Sequence, residues 1–349
     1  NLGKGAFEGC SNLLRVKLPT AITEIEEDTF RDCIALTAIQ LPPGLTRIGE
    51  AAFFQCDSLE TLRLPPQLGF IGESAFMDCD QLSSVYLPPG LTHIGPAAFA
   101  GCANLESVRV SPAQAGTASE LPATGVIGDF AFRDCVRLAT VSLPDTIQRI
   151  GTGGFQSCTL LRRIQLPRQL IEIGSSAFWM CESLENPSLP PTLTVLGDGA
   201  FMYCQSLTNL ILPKQLATLG KNAFNGCGSL QSINIPNGIT EIREGTFKIC
   251  TKLEDLRLSP NLTSIGDVAF YRCAELTEVT IPKNVRRIGI GTFAGCERLT
   301  RVHLEGDAPQ LGDKAFETGT TTFTYASGRS GYDDPDWTPL NPSPETGQG

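Results

Sequence analysis

The stretch Ala98-Phe99-Ala100-Gly101-Cys102 recurs along almost the whole chain, with Thr or Gly sometimes in place of its first Ala. Its cysteines are Cys10, Cys33, Cys56, Cys79, Cys102, Cys135, Cys158, Cys181, Cys204, Cys227, Cys250, Cys273 and Cys296. Successive cysteines are 23 residues apart, except for the 33 between Cys102 and Cys135. All 13 cysteines therefore occupy one position of one repeat. A Phe sits three residues before each, from Phe7 to Phe293, and Phe316 has Gly319 where a cysteine would fall. A fixed period of this size predicts an array of stacked repeats, not the two or three globular domains that 349 residues would otherwise suggest.

The stretch Cys79 to Phe99 explains most of the repeats. Val85 and Leu87 alternate with Ser84 and Tyr86, the pattern of a half-buried strand. Pro88 has no N–H and ends it. Leu91 and Ile94 turn the chain over the core, and Gly95 suits a place where a Cβ would be hindered. Ala98, Phe99 and Cys102 are spaced i, i+1 and i+4, which predicts one face of a short helical turn. A single repeat cannot cover its own core, whereas stacked repeats bury continuous columns of Leu, Ile, Phe and Cys.

The cysteine count is odd and every cysteine is equivalent to the next, which opposes a disulfide framework. Stacked repeats place equivalent Cα atoms about 5 Å apart with parallel Cβ vectors. A disulfide needs its Cβ atoms to converge to roughly 3.8 Å. The 13 thiols are therefore expected to form a reduced, buried ladder of small hydrophobes.

The pattern Leu-x-x-Leu-x-Leu-Pro-x-x-Leu-x-x-Ile-Gly-x-x-Ala-Phe-x-x-Cys resembles the leucine-rich repeats of the BspA-like type over about residues 2–304. The resemblance implies an α/β solenoid: a right-handed superhelix with a parallel concave β-sheet and short helical turns on the convex side. It also implies an extracellular or cell-surface adhesion protein. Residues 1–304 are expected to be the array of about 13 repeats, the first truncated, with Leu2-Gly3 matching Ile48-Gly49 at what reads as a cut edge. Leu2, Ala6 and Phe7 then lack a covering repeat, so fraying or burial against another chain is expected there. Residues 305–338 read as an altered last repeat, Glu305 to Phe316, and a cap with the strand Thr320–Tyr325, Tyr332 and Trp337. A cap is needed because an open cross-section exposes apolar columns. Residues 339–349, rich in proline, read as a tail or linker.

Departures from the period are informative. Ten extra residues near Ser111–Pro122 form a loop of small residues. Pro187 takes an inward strand position, where proline removes a ladder hydrogen bond, so a local break is expected. Ile25-Glu26 and Ile242-Arg243 lose the glycine and read as drift.

No catalytic residues, cofactor site or metal site is assigned. His93 and His303 are the only histidines and lie nine repeats apart. There is no phosphate loop, nucleophile elbow or Cys/His cluster. Asp333-Asp334-Pro335-Asp336 lacks EF-hand spacing and reads as a solvated turn. No apolar run reaches the ~20 residues that span a bilayer, so membrane insertion is not expected. A net charge of −10 argues against nucleic acid as a partner.

Two surfaces stand out as candidates for protein contact. The outward strand position seven residues after each Cys begins Lys17, Gln40, Arg63, Tyr86, Arg109 in an acidic protein, and Arg15 lies beside it. Arg and Tyr are types favoured at binding hot spots. Arg15, Lys17, Arg63, Tyr86 and Arg109 thus mark a candidate concave binding face, diluted by Glu60 and Glu106. On the convex side, Trp179, Met180, Met202 and Tyr203 fill positions expected to project outward as one apolar patch. These features favour a non-enzymatic module that binds a protein on a host, a neighbouring cell or another copy of itself. The alternatives are a self-assembling filament or sheath protein and an intracellular scaffold, the last compatible with free thiols.

Overall fold

A computed structural model describes residues 2–112, 124–316 and 321–345. The chain divides into two compact units, residues 1–193 and 194–349, each a stack of coils. Each full coil runs from one cysteine to the next and buries its repeating apolar residues. In the coil ending at Cys102, the side chains of Leu82, Val85, Leu87, Leu91, Ile94, Ala98, Phe99 and Cys102 are fully enclosed.

Most coils contribute two strands, where the sequence pattern predicted one. The longer is the predicted segment after the cysteine, such as Ser84–Leu87. The shorter lies at the Leu-x-x-Ile corner, such as His93–Ile94, and ends at the glycine. Both pair in parallel with their counterparts one coil away. In the first unit the longer strands form a pair, Arg15–Lys17 with Ala38–Gln40, and a five-stranded sheet from Thr61–Arg63 to Arg163–Gln165. In the second unit Ser232–Asn234 pairs with Asp255–Arg257, and Glu278–Ile281 begins a four-stranded sheet.

The expected helical turn is absent among the described residues, and this corrects the α/β assignment: the fold is a parallel β-solenoid of stacked coils. Ala97 and Gly101 have φ of 50° and 73°, in the left-handed region, which interrupts any right-handed helix. Alternate amides then leave the coil. Ala97 N donates to Asp129 O at 2.8 Å, Phe99 N to Ala131 O at 2.7 Å and Gly101 N to Arg133 O at 2.9 Å. Between them, Ala100 N closes a four-residue turn on Ala97 O. The reason is dimensional. Phe99 and Phe132 stack with ring centroids 5.1 Å apart, which sets the coil spacing, whereas an α-helix with side chains is about 10 Å wide. Stacked turns that lend half their amides to the next coil fit that spacing.

Two glycines show what the spacing demands. A Cβ on Gly95 would lie 2.5 Å from the carbonyl carbon of Gly72 in the preceding coil. A Cβ on Gly101 would collide with the Asp78 carboxylate, which lies across it.

Twelve of the cysteines are buried and free, but Cys10 is exposed, which corrects the expectation of 13 buried thiols. Cys10 belongs to the first coil described, where Ala6 is also exposed and Leu2 and Phe7 are half-buried. Pro187 behaves as expected: the segment around it carries no strand. Ser111 and Pro112 open the inserted loop, and 113–122 lie outside the described residues.

At the far end Gln310–Leu311 extends the shorter-strand sheet and Thr322–Tyr325 extends the longer one. Trp337 is 1% exposed among Phe316, Phe323 and Tyr332, and its indole N–H donates to Pro309 O at 2.9 Å. Tyr332 Oη donates to Gly306 O at 2.9 Å. Thr338–Leu340 forms a 3-10 turn and Ser343–Pro344 pairs with Thr324–Tyr325.

Candidate binding faces

The longer strands of the first unit carry the predicted basic row. Strand alternation turns Val85 and Val108 inward, so Tyr86 and Arg109 face outward. Arg63, Tyr86 and Arg109 are in direct register on three adjacent strands. The Arg63 guanidinium lies 4.4 Å over the Tyr86 ring, a cation–π contact that holds it in place. Arg15 and Lys17 are exposed on the first strand and separated from these three by the coil carrying Gln40. The structure therefore gathers Arg63, Tyr86 and Arg109 and leaves Arg15 and Lys17 apart.

Among the described residues, Arg15, Lys17, Arg63 and Arg109 form no ion pair, whereas most other arginines of the first unit do. Arg47 pairs with Glu24 at 2.9 Å, Arg149 with Glu172 at 2.7 Å and Arg162 with Glu185 at 2.6 Å. Glu106, three residues before Arg109 in sequence, is held by Arg137 at 3.1 Å instead. The basic face thus keeps its positive charge available.

The shorter strands carry a second column that the sequence reading missed. Glu24, Arg47, Phe70 and His93 follow one another in register. Arg47 lies 3.8 Å over the Phe70 ring, and the His93 ring stacks on Phe70 with centroids 4.4 Å apart and planes 4° apart. Partial burial and the positive charge of Arg47 both hold the His93 pKa below its ordinary value. The signal was present in the sequence: all four residues lie nine positions before a cysteine. The position falls in the Leu-x-x-Ile segment, whose pattern predicts a corner and not a strand.

The four residues predicted as a convex patch are half-buried instead of projecting freely. Met180 and Tyr203 sit at left-handed positions with φ of 59° and 60°. This conformation lays the side chain along the stack. A Cβ on Gly226 would lie 2.3 Å from the Tyr203 ring, so the tyrosine covers the next coil. The Trp179 indole N–H is shielded and has no acceptor among the described residues.

Among the described residues, no three His, Cys, Asp or Glu side chains converge as a metal site would require. No helix there is long and apolar enough to cross a membrane.

Comparison with known proteins agrees with this architecture. The family model for the BspA type leucine rich repeat region matches residues 1–116, 125–250 and 217–327. No curated protein matches. A leucine-rich repeat protein from Bacteroides ovatus is 28% identical with a TM-score of 0.73, over 93% of this chain and 81% of that one. A leucine rich repeat protein of T. pallidum is 30% identical with a TM-score of 0.43, over 55% of this chain and 77% of that one. A leucine rich cell surface protein from Faecalibacterium prausnitzii is 23% identical with a TM-score of 0.44, over 84% and 88%.

Proposed function

The chain belongs to the BspA type leucine-rich repeat family, and from that premise we propose that it is a non-enzymatic protein-binding module acting at the cell surface or outside the cell. The surface placement rests on the family resemblance. The binding reading rests on one observation: Arg63, Tyr86 and Arg109 form a register-matched basic row without ion pairs among the described residues, in a chain of net charge −10. A guanidinium group without a carboxylate partner can bind a carboxylate-bearing partner in a bidentate manner. The partner is a protein surface rich in Asp and Glu. A second copy of this chain qualifies, since it carries 37 acidic residues.

The test is attachment of beads coated with the full chain to immobilised extracellular-matrix proteins and to the chain itself, at increasing salt. Attachment should weaken as salt screens the exposed charges. It should fall about tenfold or more in the combined variant Arg63→Ala, Tyr86→Ala, Arg109→Ala, matching loss of roughly 1.4 kcal/mol or more. Attachment that the triple variant leaves unchanged removes this face from the reading.

A further inference from the structure

The second unit carries a hollow on its longer-strand side that differs from the basic row in shape and chemistry. Its volume is about 610 Å³. It opens where strand pairing stops. Asn209 and Ser232 form an isolated parallel bridge, and their side chains meet at 2.7 Å from Ser232 Oγ to Asn209 Oδ1. Beyond that bridge the segment with Ile211 forms no ladder, although Ser232–Asn234 and Asp255–Arg257 are fully paired.

The three outward residues Ile211, Asn234 and Arg257 occupy the same repeat position, seven after Cys204, Cys227 and Cys250. Ile211 is 85% exposed. Single exposed aliphatic residues are ordinary on a protein surface. This one stands at the edge of a concavity, in a position that is polar or charged elsewhere in the row from Lys17 to His303. Asn234, next to it, offers an amide that both donates and accepts. Arg257 follows; its Nε donates to Asp255 Oδ1 at 3.5 Å, which leaves its terminal nitrogens free to donate to another carboxylate.

We propose that this hollow binds an extended peptide that crosses the strands, with an aliphatic side chain on Ile211 and an Asp or Glu side chain on Arg257. Two strand spacings of about 4.8 Å separate these anchors by about 10 Å, and three residues of an extended polyproline II chain, at about 3.1 Å each and three residues per turn, span nearly the same distance and bring the two side chains to one side. The peptide therefore carries its acidic residue three positions from its aliphatic one, and Asn234 meets the peptide backbone between them. The charge favours this occupant, because Lys214 and Arg257 line the hollow with one carboxylate, Asp255. A sugar is disfavoured because no aromatic ring lines the hollow to stack on it.

The experiment is selection from a phage-displayed library of random nonapeptides on the full chain, with an immobilised oligosaccharide panel probed in parallel. Selected peptides should share an aliphatic residue with Asp or Glu three positions away. Ile211→Asn should weaken their binding at least about tenfold. Arg257→Glu should reverse the selected charge from acidic to basic. The triple variant at Arg63, Tyr86 and Arg109 should leave this binding unchanged, which separates it from the first face. Thermal melts of both variants, at exposed positions, verify folding. The proposal is overturned if no peptide is selected, if selected peptides bind Ile211→Asn and Arg257→Glu undiminished, or if an oligosaccharide binds and is lost in those variants.

Discussion

The thiol of Cys102 donates a hydrogen bond to the carbonyl oxygen of Phe76, one coil back, at 3.1 Å. Phe76 N in turn donates to Ala98 O at 2.7 Å, so both backbone polar groups of Phe76 are tied to the following coil. The same thiol-to-Phe contact recurs from Cys33 to Phe7 through Cys181 to Phe155, and in the second unit from Cys227 to Phe201 through Cys296 to Phe270. The cysteine is therefore more than a small hydrophobe. It fills the interior and supplies a weak donor to a carbonyl that points along the stack.

Cys102→Ala should destabilise the protein by about 1–2 kcal/mol, combining the lost hydrogen bond with a small cavity. Cys102→Val fills the space without a donor. Denaturant unfolding of the two variants separates the contributions, and full stability in the Val variant would show that the hydrogen bond contributes nothing.

Thiol chemistry should distinguish the first coil from the rest. Burial pushes Cys33 up to about 11 and Cys102 up to about 12. The thiolate is the reactive form. Native protein at pH 8 should label at exposed Cys10, with the twelve buried thiols reacting only after unfolding. Mass spectrometry after brief alkylation reads this directly, and rapid labelling of central cysteines would contradict it. Because the folded pKa values are raised, stability should be full below pH about 9, the unfolded thiol value, and should decline as pH rises from there towards the folded values.

The left-handed positions offer a stabilising change. Val268 has φ of 49°, an unfavourable conformation for a β-branched residue. Asn222 occupies the same place in another coil with φ of 53°. Val268→Asn should raise stability by about 0.5–1 kcal/mol, since Asn tolerates this conformation. A lower thermal midpoint for this variant would show that contact of Val268 with Gly291 outweighs the backbone strain.

His93 should make the first unit sensitive to mild acid. Its folded pKa lies below the ordinary 6.5. Below pH 6.5 the unfolded chain takes a proton that the folded chain resists, so stability falls with falling pH until the folded value is passed. His93→Phe continues the Phe70 stack without a titrating group. Comparing the two proteins between pH 7.5 and 5 isolates the effect as the extra loss in the wild type, and parallel curves would count against it.

The recurrence of Ala-Phe-x-x-Cys, read with strand alternation and the need to cover each repeat, was enough to determine a stacked array, its inward columns, the outward row of Arg63, Tyr86 and Arg109, and the break at Pro187. These follow from periodicity, because in a stack one position has one environment. The tertiary structure decided what depends on the spacing between coils. A spacing near 5 Å left no room for a helical turn at Ala98–Cys102 and made that stretch lend its amides to the next coil. It turned the Leu-x-x-Ile corner into a second sheet, which aligned Arg47, Phe70 and His93. It laid Tyr203 across Gly226 instead of into solvent. Ion pairing was equally beyond the sequence, since Glu106 chose Arg137 over the nearby Arg109 only through the three-dimensional path of the chain.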